Sequence, residues 1–131
     1  MATIFTKIRT GEIPGYILDD SGEFFAFLDI NPRQPGHTLV VPYLEEDYVF
    51  DLDAETYSRL WEYVREVADV LKNVTGKTKI AVVVEGMQVP HSHVHLIPID
   101  SEGQLKDGFV EVSSEDMEKF VNDYQNMKNN S

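Results

Sequence analysis

Two periodicities divide the chain. Leu60, Val64, Val67, Ala68 and Leu71 recur at i, i+4, i+7, i+8 and i+11, which predicts a helix capped by Asp53, running to about Asn73 and stopped by Gly76. Elsewhere the apolar positions come in short runs between turn residues, the pattern of strands. Tyr16-Ile17-Leu18 is a short strand, and Asp19-Asp20-Ser21-Gly22 reads as the hairpin turn after it. Glu23 to Ile30 carries Phe24, Phe25, Phe27 and Leu28 without alternation, so both of its faces are expected to be covered. His37 to Val41 follows as a strand, Ile80 to Val84 is a β-branched run suited to a central strand, and His91 to Ile99 is a strand bounded by Pro90 and Pro98.

The ends read as helical. Thr3 to Arg9 forms a short turn broken by Gly11-Glu12-Ile13-Pro14-Gly15. Ser113 or Ser114 caps a helix over about 114–128, whose Met117, Phe120, Val121 and Tyr124 make an i, i+3, i+4, i+7 stripe for docking on the core or on a partner. The Asn/Lys-rich end, Gln125 to Ser131, is expected to fray. The order of elements predicts an α+β fold with a central antiparallel sheet of about five strands, one long helix and a C-terminal helix, in a single domain over 1–131.

Composition narrows the function. A net charge of −12 with no basic patch repels duplex DNA or long RNA, whereas a few donors in a pocket still hold a small phosphorylated ligand. The absence of cysteine excludes disulfides, thiolate zinc sites and cysteine nucleophiles. No run approaches the roughly 18 apolar residues of a membrane span and the N-terminus lacks a signal-peptide core, so the expectation is a cytoplasmic protein without membrane partners.

Three of the four histidines fall in His91-Ser92-His93-Val94-His95, and the strand period of two puts all three rings on one face. Three uses fit such a face. Neutral imidazoles ligate zinc, although residues about 6.7 Å apart along a strand converge on one ion only with help from another element. A histidine can attack phosphorus while its neighbours share protons and bond the phosphate oxygens. The third use is an edge strand with exposed, pH-sensitive rings.

The run from His91 to Ile97 resembles the histidine-triad (HIT) signature, three alternating histidines followed by two apolar residues. Ile4-Phe5-Thr6-Lys7-Ile8 with Gly11-Glu12-Ile13-Pro14, then Ala26 to Pro32, then Pro35 to Pro42, are similar to upstream segments of the same family, in its Hint-like branch, and the resemblance covers most of 4–99. It implies a HIT-like fold, a homodimer, and hydrolysis or transfer of a nucleoside monophosphate, purine (adenosine) in particular, through a covalent intermediate on His93. It further implies that the His91 carbonyl orients His93, that His95 contacts phosphate oxygens and that His37 sits beside the triad. Asp29 matches the residue that binds the ribose, with Ile30, Phe5, Ile8 and Phe27 walling the base pocket. No cofactor is required. A non-catalytic nucleotide-binding module and a zinc-binding histidine cluster stand as alternatives.

Two departures from the family pattern stand out. Where many members carry two cysteines and a histidine that hold structural zinc, this chain has Thr3, Thr6 and Glu45, so structural zinc is not expected. The loop before the triad, Val84 to Pro90, is short, and Gln88 stands where a leaving-group hydroxyl is usual; its amide donates a hydrogen bond but relays no proton.

Overall fold

A computed structural model describes residues 2–106 and 108–130. Helix α1 (Ile4–Thr10) leads into the hairpin β1 (Ile17–Asp20) and β2 (Phe24–Leu28), followed by β3 (Thr38–Pro42). A 3-10 turn (Val49–Asp51) precedes the long helix α2 (Ala54–Thr75). Then come β4 (Lys79–Val83), β5 (Val94–Ile99), the short α3 (Gly103–Lys106) and α4 (Ser114–Asn129). The strands form one antiparallel sheet in the order β1-β2-β3-β5-β4.

The buried run of β2 splits by the period of two. Phe24, Ala26 and Leu28 join Val40, Val94 and Leu96 on the face covered by α2 and α4, where Leu60, Tyr63, Val64, Val67, Leu71, Met117 and Tyr124 close the larger core. Phe25 and Phe27 join Leu39 and Val41 on the opposite face, under Phe5 and Ile8 of α1. His95 is the register partner of Leu39 and shares that second face. One face of the sheet is thus given to helix packing and the other to the histidines.

Glycine is required where two elements meet closely. Gly36 has φ +88°, and a Cβ there would lie 2.8 Å from the ring of Phe120 on α4. Phe120 and Val121 pack against the larger core, so the stripe on α4 docks within the chain.

Several expectations are corrected. The strand carrying the triad starts at Val94, not His91: Pro90 has no N–H, and the Ser92 N–H and hydroxyl both donate to the Glu46 carbonyl at 2.7 Å, drawing 91–93 off the ladder. The β-branched run of β4 forms an edge strand, paired with β5 alone, because such residues favour any pleated surface without specifying a place in the sheet. Asp19 and Asp20 belong to β1; the turn is Ser21 to Glu23, closed by the Ser21 hydroxyl donating to the Phe24 carbonyl. Asp53 stands at the N-cap of α2 without a side-chain cap bond. The C-terminal end is helical to Asn129, held to β1 by Gln125 on the Leu18 carbonyl and by the Lys128–Asp19 ion pair; Ser131 lies outside the described residues. No helix among the described residues is long and apolar enough to cross a membrane.

Candidate active site

The four histidines converge on the α1 face. The His93 ring lies 5.0 Å from that of His95, centroid to centroid, and the His95 ring lies 5.2 Å from that of His37. Phe5 packs its edge against His93 at 4.8 Å and touches His91 at 5.7 Å. The rings of His93 and His95 therefore stay side by side although only His95 lies within the strand. His37, His91 and His93 are buried, and His95 is half-buried.

Backbone partners have fixed roles, so they settle where each ring proton sits. The Nδ1 of His93 lies 2.9 Å from the His91 carbonyl, which only accepts; Nδ1 carries the proton and Nε2 keeps its lone pair. His91 Nε2 donates to the Pro42 carbonyl at 2.7 Å, leaving its Nδ1 to accept from the Thr3 hydroxyl at 2.6 Å. The Arg33 backbone N–H, which only donates, reaches His37 Nδ1 at 3.0 Å. The His37 proton is thus on Nε2 and is donated to His95 Nδ1 at 2.9 Å, which places the proton of neutral His95 on its own Nε2.

Burial, reinforced by His95 and by the Arg33 charge, pushes the His37 pKa down to about 3. Burial likewise lowers His95 to about 4, and lowers His91 below the ordinary imidazole range against the hydrogen bond to Pro42. Desolvation raises the carboxyl pKa of Asp29, opposed by the Asn31 backbone N–H on its Oδ1. Asp29 Oδ2 is 3.7 Å from His37 Nε2, a contact with a neutral ring rather than an ion pair.

Asp29, His37 and His95 bring three ligating atoms within 4.8 Å of one another, the grouping best placed for a cation. Its chemistry opposes that use. A histidine bound to metal through Nε2 needs its proton on Nδ1, and the Nδ1 of His37 already accepts from a backbone N–H. A second convergence involves Thr3, Thr6, Glu45 and His91: the Thr3 N–H and the Thr6 hydroxyl donate to Glu45 Oε2 at 2.7 and 2.9 Å. Two neutral hydroxyls, one carboxylate and one imidazole do not fit the thiolate and imidazole sets that hold structural zinc.

Of the residues read from sequence, Phe5 and Ile8 of α1 lie in one cluster with Phe27, and Asp29 sits beside His37. Ile30 is 69% exposed and stands apart from that cluster. Gln88 is exposed on the loop before the triad, without a side-chain hydrogen bond. Sequence reasoning missed the contact of Thr3 with His91, since 88 positions separate them. It also missed Arg33, whose charge bears on Asp29, His37 and His95; a lone Arg in a Pro-flanked loop carries no signal of its neighbours.

The HIT domain family model matches residues 10–102. The chain is 33% identical over 127 residues to an uncharacterised HIT-like protein of Methanocaldococcus jannaschii, covering 90% of this chain and 95% of that protein. It is 33% identical over 102 residues to the adenosine 5'-monophosphoramidase of Saccharomyces cerevisiae, covering 74% of this chain and 62% of that enzyme. The fold is similar to the crystal structure of a hypothetical histidine triad nucleotide-binding protein from Sulfolobus tokodaii, with a TM-score of 0.83, 26% identity and coverage of 96% and 91% of the two chains.

Proposed function

The chain belongs to the histidine-triad (HIT) family, and from that premise we propose that it hydrolyses or transfers the nucleoside monophosphate group of purine nucleotide conjugates, adenosine phosphoramidates in particular. The yeast relative is named for this activity. One observation carries the reading: the His91 carbonyl holds the proton of His93 on Nδ1 and leaves an unprotonated Nε2 beside His95. That is the form a nucleophile needs.

In the first step, His93 Nε2 forms a bond to the α-phosphorus as the bond from phosphorus to the leaving group breaks, and the leaving group takes up a proton from solvent, which the attacking water of the second step returns. In the second step, water attacks the same phosphorus, the phosphorus–nitrogen bond to His93 breaks, and AMP leaves. The Nε2–H of His95 is free of the His37 bond and serves as donor to the phosphate oxygens, stabilising the charge that builds on them. Asp29 binds the ribose hydroxyls, and Phe5, Ile8 and Phe27, with the exposed Ile30, wall the base. Gln88 supplies an amide hydrogen bond to the leaving group and relays no proton itself, so the proton that the amine of a phosphoramidate takes up comes from solvent.

No metal takes part in this scheme, in keeping with the ring tautomers of His37 and His95, and no structural zinc is needed where Thr3, Thr6 and Glu45 bond one another. The partner is a small purine nucleotide and not a nucleic acid, consistent with a net charge of −12. We further infer a homodimer through the edge of β4. Val82 and Val83 are exposed there, and Leu44, Tyr48 and Phe50 add exposed apolar surface nearby in sequence to the start of α2, the pattern of a covered interface rather than a free edge.

The test is to incubate wild type and His93→Ala with an adenosine phosphoramidate, following AMP release and the mass of the acid-quenched protein. AMP release lost with His93, together with an adenylyl increment on wild type, is the expected result. Nucleotide binding without turnover in wild type overturns the catalytic reading and leaves a nucleotide-binding module.

A further inference from the structure

The Thr3 hydroxyl occupies a decisive place between α1 and the triad. As N-cap of α1 it accepts from the Thr6 N–H at 3.3 Å, so its single proton is available to His91 Nδ1, 2.6 Å away. Glu45 fixes it from the other side, since Oε2 receives both the Thr3 N–H and the Thr6 hydroxyl. His91 is held at both ring nitrogens, by Thr3 at Nδ1 and by the Pro42 carbonyl at Nε2. Its backbone carbonyl in turn holds Nδ1–H of His93. The same α1 carries Phe5, which packs on both rings.

We propose that Thr3, clamped by Glu45, is a positioning residue that locks the His91 ring and, through the His91 backbone, the orientation and tautomer of His93. Two hydrogen bonds carry the effect from Thr3 to the nucleophile, one to the His91 ring and one from His93 to the His91 carbonyl; the Thr3 hydroxyl donates in the first because Pro42 holds the His91 proton on Nε2. Segment 91–93 has left the sheet ladder and is held by these bonds, by that of Ser92 to Glu46 and by the His91 N–H on the Val89 carbonyl. A misplacement of about 1 Å at a nucleophile costs on the order of 100-fold in rate, so a partial loosening by one lost hydroxyl is expected to cost roughly tenfold.

The catalytic half of this inference rests on the His93 nucleophile proposed above; the spectroscopic half does not. The experiment takes full-length protein labelled with 15N at histidine and compares wild type, Thr3→Val, Thr3→Ser, Glu45→Ala and Glu45→Gln. Ring 15N shifts of His91 and His93 are read alongside kcat and KM for an adenosine phosphoramidate. Wild type is expected to show His91 Nδ1 as a hydrogen-bonded acceptor and His93 with its proton on Nδ1. In Thr3→Val the His91 Nδ1 moves toward the free, unbonded position, His93 populates both tautomers, and kcat falls roughly tenfold with KM little changed. Thr3→Ser restores both readouts. Glu45→Ala moves them in the same direction as Thr3→Val, and Glu45→Gln, which keeps an acceptor oxygen, moves them less; this pair decides the matter should Thr3→Val not fold. Ring shifts of His91 and His93 identical in wild type and Thr3→Val overturn the proposal, as does a changed His91 ring with unchanged kcat. Were wild type inactive on the phosphoramidate, the nucleophile reading would fail, and the His93 tautomer in Thr3→Val would still decide this one.

Discussion

His37 Nε2–H donates to His95 Nδ1 across 2.9 Å, and the Arg33 backbone N–H fixes that direction by occupying the other nitrogen of His37. A backbone group is thereby linked through one ring to a second, and His95 can present only Nε2–H to an incoming phosphate. The fourth histidine, outside the triad in sequence, sets the tautomer of one within it.

Replacing His37 by Phe keeps an aromatic ring and removes the donor. His95 is then free to put its proton on Nδ1, turning an acceptor toward the phosphate. AMP release is expected to fall on the order of 10- to 100-fold, mostly in kcat, with the adenylyl intermediate still forming slowly on His93. Unchanged steady-state rates in His37→Phe would remove His37 from the mechanism.

The depressed histidines make the fold acid-sensitive. In the unfolded chain an imidazole titrates near 6.5, whereas folded His37 and His95 stay neutral down to about 3 and about 4. Their contribution is fully present above pH 6.5 and is lost as pH falls, because the unfolded state binds protons that the folded state refuses. The loss sets in below pH 6.5 and levels off near pH 4 for His95 and near pH 3 for His37. Urea unfolding at pH 7, 6 and 5 should show this slope, and His37→Phe should flatten it by one histidine's share.

Gly36→Ala should destabilise the protein by about 2 to 3 kcal/mol, since it places a Cβ in a left-handed backbone and against Phe120. Thermal unfolding of Gly36→Ala, Phe120→Ala and the double variant separates the two causes. The double variant should lose less than the sum of the singles, and strict additivity would mean that backbone strain alone accounts for the loss.

If β4 pairs with a second copy, charge on that edge should prevent it. Val82→Lys combined with Val83→Lys is expected to convert a dimer to a monomer in sedimentation equilibrium, with the far-ultraviolet circular dichroism unchanged. A wild-type protein that sediments as a monomer refutes the interface.

Much of this protein is determined by local pattern. The helical period of Leu60 to Leu71, the uninterrupted apolar run of β2 and the alternation of His91, His93 and His95 each follow from which side chains a helix or strand presents together, so the α+β class and the gathering of the histidines were legible without coordinates. Phe5, Ile8 and Phe27 were legible as apolar, and the resemblance grouped them as walls of one pocket; the structure joins them in one cluster. What pattern does not contain is pairing between distant segments. Nothing in Ile80 to Val84 states that β4 lies at the edge, because β-branched residues suit an edge or a centre alike and strand order is a property of the whole sheet. Nor does the sequence around His91 reveal that Ser92 is taken off the ladder by Glu46, or that Thr3 and Pro42 hold the two nitrogens of one ring. A hydrogen bond depends on distances of a few tenths of an ångström between residues 46 to 88 positions apart, and only the packed tertiary structure decides those.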